Sequence, residues 1–80
     1  MNQIQVETLV HAGAVAHVHI LKTPSGWAVY LYGPEGNEIA FNMAVETARG
    51  GVRNWKSLDA VQRWLEALSF PRAPVVALSW

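Results

Sequence analysis

The sequence predicts one α+β domain over residues 1–80: an antiparallel β-meander of about four strands, one C-terminal amphipathic helix and a final strand. Short segments rich in β-branched and aromatic residues alternate with Gly/Pro turn signals, which is typical of hairpin-connected strands. One later segment repeats leucine and tryptophan at helical spacing. A chain of 80 residues leaves room for a single domain only.

The first elements are a short extended segment and a long strand. Ile4 and Val6 alternate with polar residues, which favours a short strand. Thr8 can then cap a single helical turn that Gly13 ends in a left-handed conformation. The segment Ala14–Lys22 is rich in Val and Ile and predicts the first long strand.

Two turn signals separate the next strands. Thr23–Gly26 contains Pro and Gly and leads into a strand over Trp27–Tyr32, whose alternate side chains point to opposite faces. Gly33–Asn37, with two glycines and one proline, predicts the following turn. Glu38–Val45 then alternates apolar and milder residues and predicts the third strand.

The last third of the chain predicts a turn, a short strand, a helix and a final strand. Arg49–Gly51 forms the turn, and Val52–Lys56 runs back as the fourth strand. Ser57 is a favourable N-cap, and the helix that follows ends before Pro71. Its apolar stripe consists of Leu58, Val61, Trp64, Leu65 and Leu68. The β-branched start of Val75–Trp80 predicts the last strand.

Composition limits the classes of function. Only 15% of residues are charged, the formal net charge is zero and 51% are hydrophobic. This balance argues against broad electrostatic binding to nucleic acid or lipid, and it favours a homodimer that covers apolar surface. There is no cysteine, no signal-peptide pattern and no run long enough to span a membrane. We therefore expect a cytoplasmic protein without membrane contact.

The histidines are the first candidates for chemistry. His17 and His19 lie two residues apart and share a face of a strand, where Glu7 or His11 is a conceivable third zinc ligand. The alternative is that they are polar residues on a solvated sheet face. Their spacing does not match common zinc motifs, so we expect neither a metal site nor a cofactor.

A catalytic constellation is missing from the sequence pattern. The six acidic residues are scattered, and no serine lies in a nucleophile elbow. The glycine-rich turns do not match a phosphate-binding loop. We therefore expect a protein that is not an enzyme.

The strongest local signal for binding is the segment from Arg49 to Lys56, which holds three cations and one tryptophan. On a strand, Arg53 and Trp55 share a face, so that a guanidinium contacts a phosphate while an indole stacks on a base. The predicted nucleic-acid site is therefore Arg49, Arg53, Trp55 and Lys56, extended by the aromatic residues of the neighbouring strand. In the alternative interpretation, Trp55 lies in the core beneath the helix and the cations are only solvated.

The stretch Arg49–Phe70 resembles the C-terminal half of the small ParC-type partition-associated proteins of plasmids. The matching pattern is an Arg-Gly turn, a capped helix start and a leucine stripe, and it reads Arg49-Gly50-Gly51-Val52-Arg53-Asn54-Trp55-Lys56-Ser57-Leu58-Asp59-Ala60. The stretch Val10–Val15 is also similar to the start of that family. The resemblance implies an accessory role in plasmid maintenance and transfers no catalytic residue. Two functions follow: nucleic-acid binding through the basic segment, or a homodimeric protein–protein interaction module without nucleic-acid contact.

Overall fold

A computed structural model describes residues 1–33 and 44–79 of the chain. Within these ranges the elements are α1 (Gln3–His11), β1 (His17–Thr23), β2 (Gly26–Tyr32), α2 (Leu58–Ala67) and β3 (Val75–Ser79). The three strands form one mixed sheet in the order β2-β1-β3. β1 is antiparallel to β2 and parallel to β3.

The predicted four-stranded meander is therefore wrong. Among the described residues, Val52–Lys56, expected as the fourth strand, forms only two isolated bridges, Val52 to Glu46 and Trp55 to Trp27. β3 does not extend a meander, because β2 already occupies one edge of β1 and the chain returning from α2 meets the other edge. The third predicted strand, Glu38–Val45, lies outside the described residues except for its last two positions, and the predicted turn at Gly33–Asn37 lies outside them after Gly33.

The N-terminal segment is a helix and not the predicted short strand. Asn2 caps α1: its side chain accepts the Gln5 N–H at 2.9 Å, and the Gln5 side chain accepts the Asn2 N–H at 2.9 Å. Val6 and Val10, four residues apart on one helix face, are both fully buried. Ile4 lies on the opposite side and is 73% exposed. Gly13 follows the helix with φ +70°, so the predicted left-handed stop is confirmed.

The helix α2 begins where the sequence predicts. The Ser57 hydroxyl accepts the Ala60 N–H at 3.2 Å and so satisfies a donor of the first turn. Val61 is fully buried, and the rest of the predicted stripe packs against the same core. The Trp64 Nε1–H donates to the Gln3 side chain at 2.9 Å, which ties α2 to α1. Neither helix in the described ranges is long and apolar enough to cross a bilayer.

The sheet has an inner face that is packed and an outer face that is half-exposed. The inner face consists of Val18, Ile20, Val29 and Leu31, which are buried together with Val6, Val10 and Val61 of the two helices. The outer face carries His17 and His19 opposite Tyr32 and Tyr30. Because directly paired residues share a face, Val75 and Ala77 of β3 belong to the outer face, and Val76 and Leu78 belong to the inner side.

Candidate functional site

The predicted basic segment forms a tight turn followed by an irregular return to the sheet. Thr47 N–H donates to Gly51 O at 2.7 Å and Arg53 N–H donates to Val45 O at 2.9 Å, so the turn is closed by backbone bonds. Gly50 adopts φ +92°, which agrees with the predicted Arg-Gly-Gly turn. Arg49 at its tip is exposed.

Trp55 is part of the core, as in the alternative interpretation of the sequence. Its side chain is 6% exposed, and its ring centroid lies 4.9 Å from that of Trp64 at an interplanar angle of 54°. The Arg53 guanidinium carbon lies 4.5 Å from the Trp55 centroid and 6.0 Å from that of Trp64, so Arg53 covers both indoles. The indole that was predicted to stack on a base therefore has no free face. Lys56 next to it is exposed.

The aromatic residues that were predicted to extend this platform lie on two different faces. Trp27 pairs with Lys22 on the inner side of the sheet and is covered by the Lys22 ammonium at 5.4 Å. Tyr30 and Tyr32 lie on the outer face. A nucleic-acid strand cannot stack on all three rings in one binding mode.

The paired histidines of β1 are already engaged in hydrogen bonds. His19 Nε2 lies 2.7 Å from the Ser79 hydroxyl of β3, and His17 Nδ1 lies 3.3 Å from Gly33 O. Across residues 1–33 and 44–79 no group of three His, Cys, Asp or Glu side chains is placed to hold a metal ion. The histidines therefore connect the strands of the outer face.

Glu46 lies in an open groove of about 530 Å³ beside the start of α1. Its carboxylate is 2.8 Å from the amino group of Met1, which also donates to Ala44 O at 2.7 Å. The same groove contains Arg53, whose guanidinium rests on the indoles. Glu46 thus holds the start of the chain in place, whereas Arg53 covers the two indoles.

The most exposed apolar surface of the described residues is β3, which is not among the predicted site residues. Val75, on the outer face, is 62% exposed. Val76 and Leu78, on the inner side, are each 49% exposed. No strand or bridge within residues 1–33 and 44–79 pairs with the outer edge of β3. A sequence signal was present, because Val75–Ser79 contains no charged residue and is apolar on both alternating sets.

Comparison of the chain with protein-family models, with curated proteins and with solved structures finds no match in any of the three. The resemblance of Arg49–Phe70 to ParC-type proteins therefore stays a prediction. The functional conclusion has to come from the geometry of this chain's own residues.

Proposed function

We propose that the protein is a non-enzymatic protein–protein interaction module that forms a homodimer through β3. One observation carries the proposal: β3 is an uncharged edge strand whose Val75, Val76 and Leu78 side chains are between 49% and 62% exposed, on both sides of the sheet. Unpaired backbone groups of an edge strand form a ready template for another strand, and proteins normally protect them with Lys, Pro or a bulge. Residues 75–79 contain neither Lys nor Pro, and their register with β1 runs without a bulge.

The charge of the whole chain supports association with another copy. Formal net charge is zero, so two chains approach without strong mutual repulsion. A domain of 80 residues buries a limited share of its own apolar surface, and an interface at β3 adds to that burial. Strand pairing and apolar contact also predict that the dimer persists when salt is raised.

Replacing Leu78 with lysine should weaken the dimer by about tenfold or more, which corresponds to about 1.4 kcal/mol. Leu78 is half-exposed within the chain, so the long lysine side chain fits the folded monomer. At an interface the same ammonium group must be desolvated, and lysine on an edge strand opposes pairing. Light scattering over a range of protein concentrations measures the change, against a mass of 8.8 kDa for one chain.

The matched control is Ile4→Lys, which introduces the same charge at an apolar residue that is 73% exposed on α1. This variant should dimerise like the wild type. A wild-type protein that stays monomeric up to millimolar concentration contradicts the proposal. Equal masses for the wild type and for Leu78→Lys would place the dimer contact elsewhere.

Nucleic-acid binding is the second candidate, supported by the exposed side chains of Arg49 and Lys56 and by the half-buried Arg53 in the same segment. With Trp55 buried, this surface offers phosphate contacts and no stacking. Affinity should then depend steeply on salt, falling by about 40-fold between 50 and 200 mM salt for three phosphate contacts per chain.

The double variant Arg49→Ala/Lys56→Ala should abolish binding to labelled single- or double-stranded DNA at low salt. Arg53 is left in place because it packs on two indoles, and its removal would mix folding with binding. Arg63→Ala/Arg72→Ala removes two cations outside the segment and serves as the control. If the wild type binds neither DNA even at low salt, the second candidate is eliminated. Plasmid maintenance, which the resemblance implies, stays a prediction under either function.

A further inference from the structure

We propose that a second copy of this chain pairs antiparallel to β3 in one register, with Ala77 on the two-fold axis. The inference rests on the homodimer proposed as the function and specifies how its two chains meet. It follows from the direction of the backbone groups of β3, from the residues that border the strand and from the other edge of the sheet.

The backbone direction of β3 is fixed by its pairing with β1. The Val75 N–H donates to Ala16 O at 3.0 Å, and Val75 and Ala77 are the register partners of His17 and His19. Successive residues of a strand turn their N–H and C=O groups to opposite edges. The groups of Val76 and Leu78 therefore point away from β1, toward the outer edge.

An antiparallel partner must place outward-facing residues opposite outward-facing residues. When Val76 lies opposite Leu78 of the second copy, and Leu78 opposite its Val76, each pair exchanges both backbone hydrogen bonds. Ala77 then lies opposite Ala77 of the second copy, at the centre. If the register slipped by one residue, the outward-facing N–H and C=O groups of one copy would lie opposite residues of the second copy whose groups already bond to its own β1.

The residues at the ends of β3 disfavour the remaining registers. Centring the pair on Val76 brings Pro74 opposite Leu78 of the second copy, and proline has no N–H to donate. Centring it on Leu78 leaves Leu78 opposite itself as the one outward-facing pair within Val75–Ser79. The register centred on Ala77 is the one that uses both outward-facing residues of each strand.

The side chains suit this self-pairing. Val76 and Leu78 of one copy meet Leu78 and Val76 of the other on the inner side, which covers side chains that are each 49% exposed. The non-hydrogen-bonded pair at the axis brings its side chains close together, and alanine is small enough for that approach. β3 contains no charged residue, so the pairing brings no like charges together across the axis.

The other edge of the sheet explains why association should stop at two chains. Trp55 and Trp27 exchange backbone hydrogen bonds of 2.8 Å along the outer edge of β2, and Val45 N–H donates to Val29 O at 2.9 Å. Those contacts occupy the edge opposite to β3. A two-fold contact uses the same patch on both chains and closes on itself, so it yields a dimer and not a fibre.

A single cysteine tests the register, because the natural chain contains none. In Ala77→Cys the two new thiols face each other across the axis with Cα atoms about 4.5 Å apart. Disulfides span Cα distances of roughly 4.4–6.8 Å. Mild oxidation of the full chain should therefore give a covalent dimer on a non-reducing gel.

Val75→Cys is the matched control, on the same strand and the same face. In the proposed register Val75 lies opposite Ser79 of the second copy, and the two Val75 positions are about 14 Å apart, four residues along the strand. Ala77→Cys should cross-link at least about tenfold faster than Val75→Cys. An equimolar mixture of Val75→Cys and Ser79→Cys should cross-link faster than either variant alone, which tests the register without altering Ala77.

The outcomes separate the register from the dimer itself. If light scattering shows a wild-type dimer and Ala77→Cys cross-links no faster than Val75→Cys, the register is wrong and the dimer stands. If the wild type is monomeric, both proposals fall. Circular dichroism of each reduced variant confirms that the cysteine leaves the fold intact.

Discussion

Replacing Trp55 with alanine should lower the free energy of unfolding by about 3–5 kcal/mol, which is a large part of the stability of a domain of this size. The indole is 6% exposed and belongs to the same core cluster as Val29, Val45 and Val61. Truncation leaves a cavity where the segment Val52–Lys56 meets β2 through the bridge between Trp55 and Trp27. It also removes the ring on which Arg53 rests and with which Trp64 packs.

Urea unfolding followed by far-ultraviolet circular dichroism measures this loss without relying on tryptophan emission, which the substitution itself changes. Val52→Ala is the matched control three residues earlier, because Val52 is 47% exposed, and its effect should stay within about 0.5 kcal/mol. A Trp55→Ala variant as stable as the wild type would show that the indole is not core. In that case its ring would be free to stack on a base.

The sequence predicts those elements whose signals are local. Ser57 and the apolar stripe behind it place α2 correctly, since both the cap and the buried face act within a few turns of one helix. The hairpin of β1 and β2 is likewise contained in one short stretch with Thr23–Gly26 between its strands. Gly13 ends α1 as expected, because its left-handed conformation depends on its own lack of a Cβ.

Two errors arose where short patterns allow more than one structure. Ile4 and Val6 alternate like a strand, but three residues cannot distinguish that period from a helix in which Val6 and Val10 are the buried pair. The reciprocal bonds between Asn2 and Gln5 decide for the helix, and this capping box was readable in the sequence. The parallel pairing of β3 with β1 could not be predicted from a local pattern, because it joins segments more than fifty residues apart.

The candidate site shows the same limit. Arg53 and Trp55 do lie close together, as their spacing implies, but the Trp55 indole is buried in the core and the half-buried Arg53 guanidinium covers it. An alternation of cation and aromatic predicts adjacency on one face, and it does not say whether that face is covered. The exposure of β3 depends on which elements pack over it, and this is a property of the assembled fold.

Replacing Gly26 with alanine should cost about 3 kcal/mol or more, through two effects that act together. Gly26 adopts φ +138°, a conformation that side chains with a Cβ rarely take, at a cost of about 1–3 kcal/mol. A Cβ added at this position overlaps the carbonyl oxygen of Trp55, and overpacking typically costs a further 1–3 kcal/mol. That oxygen accepts the Trp27 N–H at 2.8 Å, so moving it away also weakens the bridge between the two tryptophans.

Two other glycines separate these effects in the same unfolding experiment. Gly50 has φ +92°, and a Cβ added there would meet no atom within 4 Å, so Gly50→Ala should show the backbone strain alone, about 1 kcal/mol. Gly51 has open space and no positive φ, and Gly51→Ala should change stability by less than about 0.5 kcal/mol. Equal losses for Gly26→Ala and Gly50→Ala would contradict the close approach to Trp55. We expect the loss of stability in Gly26→Ala to be well beyond that of Gly50→Ala, because a Cβ at Gly26 meets the Trp55 backbone, whereas a Cβ at Gly50 meets no atom within 4 Å.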